Sequence, residues 1–116
     1  MNLGLTKRAE KKLPMFLGVL KSNYVYPESV TSRRVESGLN ISGAEVRAIV
    51  RTLRRGGHFI ISDHKGYSFT TDPDLFEDKI QHLYDRRTSL SNTIDECESA
   101  ISIARQGTPQ GELFNA

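Results

Sequence analysis

The feature that most constrains the fold is a strongly marked helix over residues 42–55. Ser42 and Glu45 have the S-x-x-E spacing of a capping box, in which each side chain accepts a hydrogen bond from the other residue's backbone amide. The helix has one apolar stripe at positions i, i+3, i+4 and i+7: Val46, Ile49, Val50 and Leu53. Gly56 and Gly57 follow and predict its end. The stripe must pack against other elements, so this helix is expected to organise the core.

A helix and an extended connection are predicted in the first thirty residues. Residues 13–22 carry apolar side chains at helical spacing, and Pro14 suits a first turn, where no amide donor is lost. Residues 6–12 either extend this helix or form a loose basic arm. Residues 23–30 predict an extended connection, because a residue before proline is steered away from helix.

Short elements are predicted on both sides of the 42–55 helix. Residues 31–37 indicate a second, short helix, which Gly38 ends. Bulky and alternating apolar residues predict strands at 59–62 and 67–71, separated by a short polar loop. Together the strands form a β-hairpin with a partly basic tip.

A long helix is predicted from the Asp72-Pro73 pair to about residue 104, because these residue types are favoured at the N-cap and the first helical position. Its apolar residues alternate three- and four-residue steps, as in a coiled coil: Phe76, Ile80, Leu83, Leu90, Ile94, Cys97, Ile101 and Ala104. Arg87 occupies the polar position of this seam. Either two copies pair along the seam or the seam packs on its own domain.

If two copies pair along the seam, the expected dimerisation residues are Ile80, Leu83, Arg87, Leu90, Ile94, Cys97 and Ile101. The partner's Asp85 or Asp95 would then pair with Arg87. Such a homodimer would present two copies of the 42–55 helix to a two-fold symmetric site.

Charge divides the chain into parts of opposite sign. Residues 1–71 hold 12 Lys/Arg and 5 Asp/Glu, a formal charge of +7, whereas the remainder holds 4 and 9, or −5. This asymmetry indicates a basic module for a polyanion, with nucleic acid as the first candidate. The predicted organisation is a basic domain over 1–71, a long amphipathic helix over 72–105 and a mobile tail over 106–116.

Residues 30–69 resemble the winged helix-turn-helix family. The resemblance is carried by the order of elements, the cap at Ser42, the run RAIVRTLRRGGHFI and the hairpin around Lys65, Gly66 and Tyr67. It extends to the N-terminal DNA-binding domain of the biotin operon repressor and to small winged-helix proteins of bacteriophages. The resemblance implies a mainly α fold with a small β-hairpin, double-stranded DNA as partner, and a role in transcription regulation or DNA replication.

The outward face of the 42–55 helix is small at its start and cationic along its length. Small residues permit close approach to the major groove, and arginines reach guanine edges or phosphates. The candidate DNA-binding residues are Arg33, Arg34, Ala44, Arg47, Ala48, Arg51, Arg54, Arg55, His64 and Lys65. The resemblance implies base contacts for Arg47 and Arg51, and phosphate or groove contacts for the other cations. The alternative is that these cations form an ordinary solvated face.

The C-terminal tail suggests a second function. Gln110, Leu113 and Phe114 resemble the Q-x-x-L-F peptide with which bacterial replication and repair proteins bind the sliding clamp, although Gly111 replaces the commoner leucine. Chance similarity or packing is the alternative. In the functional case the protein is an adaptor that binds the clamp, and this role is compatible with DNA binding.

Several classes of protein are disfavoured. The single Cys97 cannot form an internal disulfide, and neither metal-ligand spacing nor a catalytic signature occurs. We therefore expect no enzyme, cofactor or metal site. The apolar run over 13–20 is too short to cross a membrane and lacks a cleavage site, so a cytoplasmic protein is expected.

Overall fold

The structure, a computed structural model, describes residues 4–107. These residues form a mainly helical fold with a small antiparallel hairpin. The elements in chain order are α1 (Lys7–Asn23), α2 (Ser32–Leu39), α3 (Gly43–Arg55), β1 (Phe59–Asp63), β2 (Gly66–Thr70) and α4 (Pro73–Arg105).

Helix α1 begins earlier than residue 13. The side chain of Thr6 accepts a hydrogen bond from the Ala9 amide at 3.1 Å, so the N-cap lies at Thr6 and the basic residues that follow it are helical. Ala9, Phe16 and Leu20 are buried on one side of α1. Pro14 therefore lies inside the helix, and its predicted place in the first turn is wrong.

Helix α2 ends at Leu39, not before Gly38. Thr31 is its N-cap, and Asn40 ends the helix in the left-handed conformation, with φ of 54° and ψ of 52°. Asparagine tolerates this conformation better than most residues, which makes it an alternative to glycine at a helix end. Leu39, at 8% exposure, is buried, so the two additional helical residues bring one side chain into the core.

Helix α3 matches its prediction. Ser42 and Glu45 form both hydrogen bonds of the capping box, and Gly56 follows the last helical residue. The four apolar stripe residues are between 0% and 3% exposed. They pack in one cluster with buried side chains of α1, α2 and the hairpin, so α3 is the central helix of the core.

The hairpin pairs Phe59 with Thr70 and Asp63 with Gly66. Its second strand also pairs with residues of the connection before α2. Val30 and Tyr67 exchange two backbone hydrogen bonds, of 2.9 and 2.8 Å. The Phe69 amide donates to the Tyr24 carbonyl at 2.8 Å. The connection is non-helical from Tyr24, as predicted, but it is not extended throughout: the Glu28 amide donates to the Val25 carbonyl at 3.0 Å and closes a turn, and only the two ends of the connection pair with β2.

Helix α4 runs from Pro73 to Arg105, as predicted, and the Asp72 carboxylate accepts a hydrogen bond from the Asp74 amide at 3.0 Å. The chain divides into two compact units, Met1–Ile80 and Gln81–Ala116. In the first unit, Phe76 stacks on Phe59 with 5.0 Å between ring centroids. Of the helices within 4–107, none is long and apolar enough to cross a membrane.

The tip of the hairpin requires glycine at position 66. Gly66 has φ of +126°, and a Cβ there would lie 2.2 Å from the Val30 carbonyl oxygen. Gly66→Ala is expected to destabilise the protein by about 1 to 3 kcal/mol through backbone strain, and the clash adds to that cost.

Gly18→Ala is the matched control, since Gly18 lies inside α1 and a Cβ added there would have nothing within 4 Å. There the same substitution should stabilise by about 0.5 to 1 kcal/mol. Urea denaturation of both variants measures the two effects. Equal effects at the two positions would contradict the assigned conformation of the tip.

Candidate nucleic-acid interface

The outward side of α3 is basic. Ala44, Arg47, Arg51 and Arg55 are exposed, as predicted. Ala48 is only 1% exposed, so its predicted place on the outward face is wrong. The exposed face is therefore narrower than a helical wheel suggests, and it lies on the arginine side of α3.

Ala48 lies on the same flank of α3 as Glu45, to which the start of α1 is bonded. Ala48 lies three residues after Glu45, and residues at this spacing share one side of a helix. Glu45 is itself buried, at 6% exposure, and accepts hydrogen bonds from Thr6 and Arg8 at the start of α1. The start of α1 therefore covers the flank of α3 that carries Glu45.

The Glu45 carboxylate joins two segments of chain, the start of α1 and the start of α3. It accepts a hydrogen bond from the Ser42 amide at 3.0 Å and a second bond from Arg8, through Nε, at 3.3 Å. Arg8, then Thr6 and the Ser42 amide, lower the pKa of Glu45 from 4.5 to about 2, because all of these donors favour the charged carboxylate. The acidic side chain of α3 is thus already engaged within the protein.

Sequence reasoning found Glu45 as a cap but missed Arg8 and Thr6. Thr6 directly precedes a run of helix-forming residues, and threonine is a favoured N-cap. That signal could have extended α1 to its true start. The long-range ion pair between Arg8 and Glu45 has no comparable signal, because it depends on how the two helices pack.

Arg54 connects α3 to the hairpin. Its Nε donates to the Ile60 carbonyl at 3.0 Å, and partial burial lowers the pKa of its guanidinium, which still remains charged. Beside it, a cavity of about 210 Å³ opens between α3 and the hairpin. It is lined by Arg47, Val50, Arg51, Arg54, Ser62 and Tyr67. Arg54 therefore positions the hairpin next to the basic face.

The predicted tip residues, His64 and Lys65, form the exposed turn between β1 and β2. The turn is held internally, because the Lys65 amide donates to the Asp63 carboxylate at 2.8 Å. Ser29 donates to the Lys65 carbonyl at 3.4 Å and so ties the turn to the connection before α2. The tip thus has a defined backbone with exposed side chains.

Arg33 and Arg34 are exposed in the first turn of α2, where they were predicted. An apolar cavity of about 490 Å³ lies between α1 and α2 and was not predicted. Met15 and Val19 line it and remain 54% and 38% exposed. Their i, i+4 spacing is the sequence signal for this second apolar stripe of α1.

The other predicted sites belong to α4 and to the C-terminal tail. The seam residues from Leu83 to Ile101 are all exposed on α4, and Ile80 is partly buried in the first unit. Gln110, Leu113 and Phe114 lie outside the described residues. Within residues 4–107, no group of three His, Cys, Asp or Glu side chains could hold a metal ion.

No protein-family model matches this chain, and a search of curated proteins finds no significant match.

The engaged Glu45 carboxylate predicts a specific dependence of stability on pH. Its pKa is about 2 in the folded protein and near 4.5 without these partners. The stability that it contributes is therefore complete above pH 4.5 and is lost as the pH falls toward 2. Glu45→Gln should destabilise the protein at pH 7 and flatten this part of the stability curve.

Glu28→Gln is the matched control, because Glu28 is exposed on the connection before α2. It should retain the wild-type dependence on pH. Chemical denaturation at intervals from pH 2 to 7 measures both curves. An unchanged curve for Glu45→Gln would show that the Arg8 and Thr6 bonds contribute nothing to folding.

Proposed function

We propose that this protein binds duplex DNA as a winged helix-turn-helix domain, with α3 in the major groove and the β1–β2 hairpin as the wing. The supporting observation is the exposed arginine face of α3, whose opposite side is buried in the core. The major groove, about 12 Å wide, admits one α-helix. A helix that is rigidly held and cationic on its exposed side has the shape and charge for this contact.

The charge of this surface favours a polyanion. Four arginines lie on α3, and Glu45, the acidic residue of that helix, is held by Arg8 and Thr6. Ala44 at the start of α3 is small and exposed, so the N-terminal turn can approach base edges closely. Phosphate neutralisation would supply most of the affinity, and it makes binding sensitive to salt.

The roles of individual residues follow from their places on this surface. In the proposal, Arg47 and Arg51 contact base edges, because they lie along the exposed face nearest the start of α3. Arg55 contacts phosphate near the helix end. His64 and Lys65 on the wing contact phosphate or the minor groove, as in the winged-helix family. Arg33 and Arg34 on α2 contact the backbone of the same duplex.

Loss of the base-contacting arginines should weaken binding to a selected duplex. Arg47→Ala or Arg51→Ala is expected to cost about 1 to 3 kcal/mol, since a bidentate contact to guanine contributes that much discrimination. Fluorescence anisotropy measures this effect, since about 1.4 kcal/mol corresponds to a tenfold loss of affinity. Binding to random duplex should change less than binding to the selected site.

Arg86→Ala is the matched control, an exposed arginine outside the proposed interface. It should leave affinity unchanged. If Arg47, Arg51 and Arg55 are all replaced with alanine and affinity does not fall, the docking of α3 in the groove is wrong.

The salt dependence of DNA affinity tests the role of the hairpin independently of the α3 arginines. Replacing one phosphate-contacting lysine should reduce the slope of log affinity against log salt by about 1. Lys65→Ala is expected to show this reduction with equal loss on selected and random duplexes. A loss confined to the selected duplex would instead assign Lys65 to base recognition.

The adaptor role is predicted from residues 110–114 alone. A sliding-clamp pull-down with the wild type and with a Leu113→Ala, Phe114→Ala variant tests it. Capture of the wild type and loss of the variant are expected. No capture of the wild type would remove this role and leave the DNA-binding proposal intact.

A further inference from the structure

Residues 81–105 of α4 carry an exposed apolar stripe. Every residue from 81 to 105 is exposed, although Leu83, Leu90, Ile94 and Ile101 are large hydrophobic residues. They are between 48% and 56% exposed. A contiguous stripe of this kind on a helix marks an interaction surface, because long helices in water depend on packing of an apolar face.

We infer that this stripe pairs antiparallel with the same stripe of a second copy of the chain, with the two-fold axis beside Asn92. The stripe is symmetric about that residue. In this register Leu83 lies opposite the partner's Ile101, and Leu90 lies opposite the partner's Ile94. Each pair joins an a position with a d position of the heptad, which is the arrangement that an antiparallel coiled coil needs.

Charge complementarity selects this orientation. Residues 81–92 contain two arginines and one aspartate, whereas residues 93–105 contain three acidic residues and one arginine. An antiparallel pair brings these oppositely charged halves together. A parallel pair would instead place Arg87 against the partner's Arg87 at the centre of the seam, where like charges repel.

Arg87 has a particular place in the antiparallel pair. Within its own helix the guanidinium lies 5.6 Å from the centre of the Tyr84 ring. In the pair it lies opposite the partner's Cys97 and one residue from the partner's Glu98. The one polar residue in the seam therefore meets an acidic neighbour, and it fixes the register because a shift would place it against hydrophobic residues.

This inference is independent of DNA binding, and it is tested without DNA. Sedimentation of the full chain at micromolar concentration should give twice the 13.0 kDa monomer mass. Replacing both Leu90 and Ile94 with glutamate should return the protein to a monomer. Circular dichroism shows whether the helices of that variant are retained. A wild-type chain that sediments as a monomer overturns the inference.

Cysteine crosslinking tests the orientation. In the antiparallel register the two native Cys97 residues lie ten residues apart, or about 15 Å along the helix axis. A bis-maleimide shorter than that distance should not join wild-type chains. Arg87→Cys should give a covalent dimer, because the new thiol lies opposite the partner's Cys97. Asn92→Cys, on the outer side of the helix, is the control and should not crosslink between chains.

The crosslinking results distinguish the antiparallel pairing from the parallel pairing. Covalent dimer from Arg87→Cys alone supports the antiparallel register. Covalent dimer from the wild type means that Cys97 meets the partner's Cys97, which is the parallel arrangement and overturns the inference. A sedimenting dimer in which Arg87→Cys does not crosslink overturns the register.

Discussion

The arrangement of the first unit depends on one buried carboxylate. Glu45 caps its own helix through the Ser42 amide and also accepts hydrogen bonds from Arg8 and from Thr6, the N-cap of α1. A buried carboxylate is tolerated only where such donors offset its lost hydration. Here the donors come from two separate segments of chain, so the requirement to satisfy one charge also sets where α1 begins and which flank of α3 it covers.

The basic surface is a consequence of that attachment. With the Glu45 flank covered and the apolar stripe in the core, the side of α3 that remains for solvent is the side with Arg47 and Arg51. The Arg54 bond to the Ile60 carbonyl then holds the hairpin beside it. Positioning a charged surface by buried contacts lowers the cost of ordering it on binding, which is the general advantage of a preorganised interface.

Helix α4 differs in kind from the other helices. The first three helices bury side chains within the unit, whereas residues 81–105 bury none. Phe76 near the start of α4 stacks on Phe59, whereas the apolar side chains of residues 81–105 are exposed. The proposed pairing of two copies would bury this exposed stripe, and the symmetry of the stripe about Asn92 follows from the sequence alone.

Local signals in the sequence determined most of the elements: the capping box of α3, its apolar stripe, the two strands and the start of α4 were all predictable, because each depends on neighbouring residues. Tertiary structure decided the rest. Proline and glycine suggested boundaries near Pro14 and Gly38, but burial of Ala9 and Leu39 extended both helices past them. Ala48 is buried on the flank of α3 that carries Glu45, whose partners Thr6 and Arg8 are 37 to 39 residues away, and contacts between such distant segments produce no periodic pattern in the sequence.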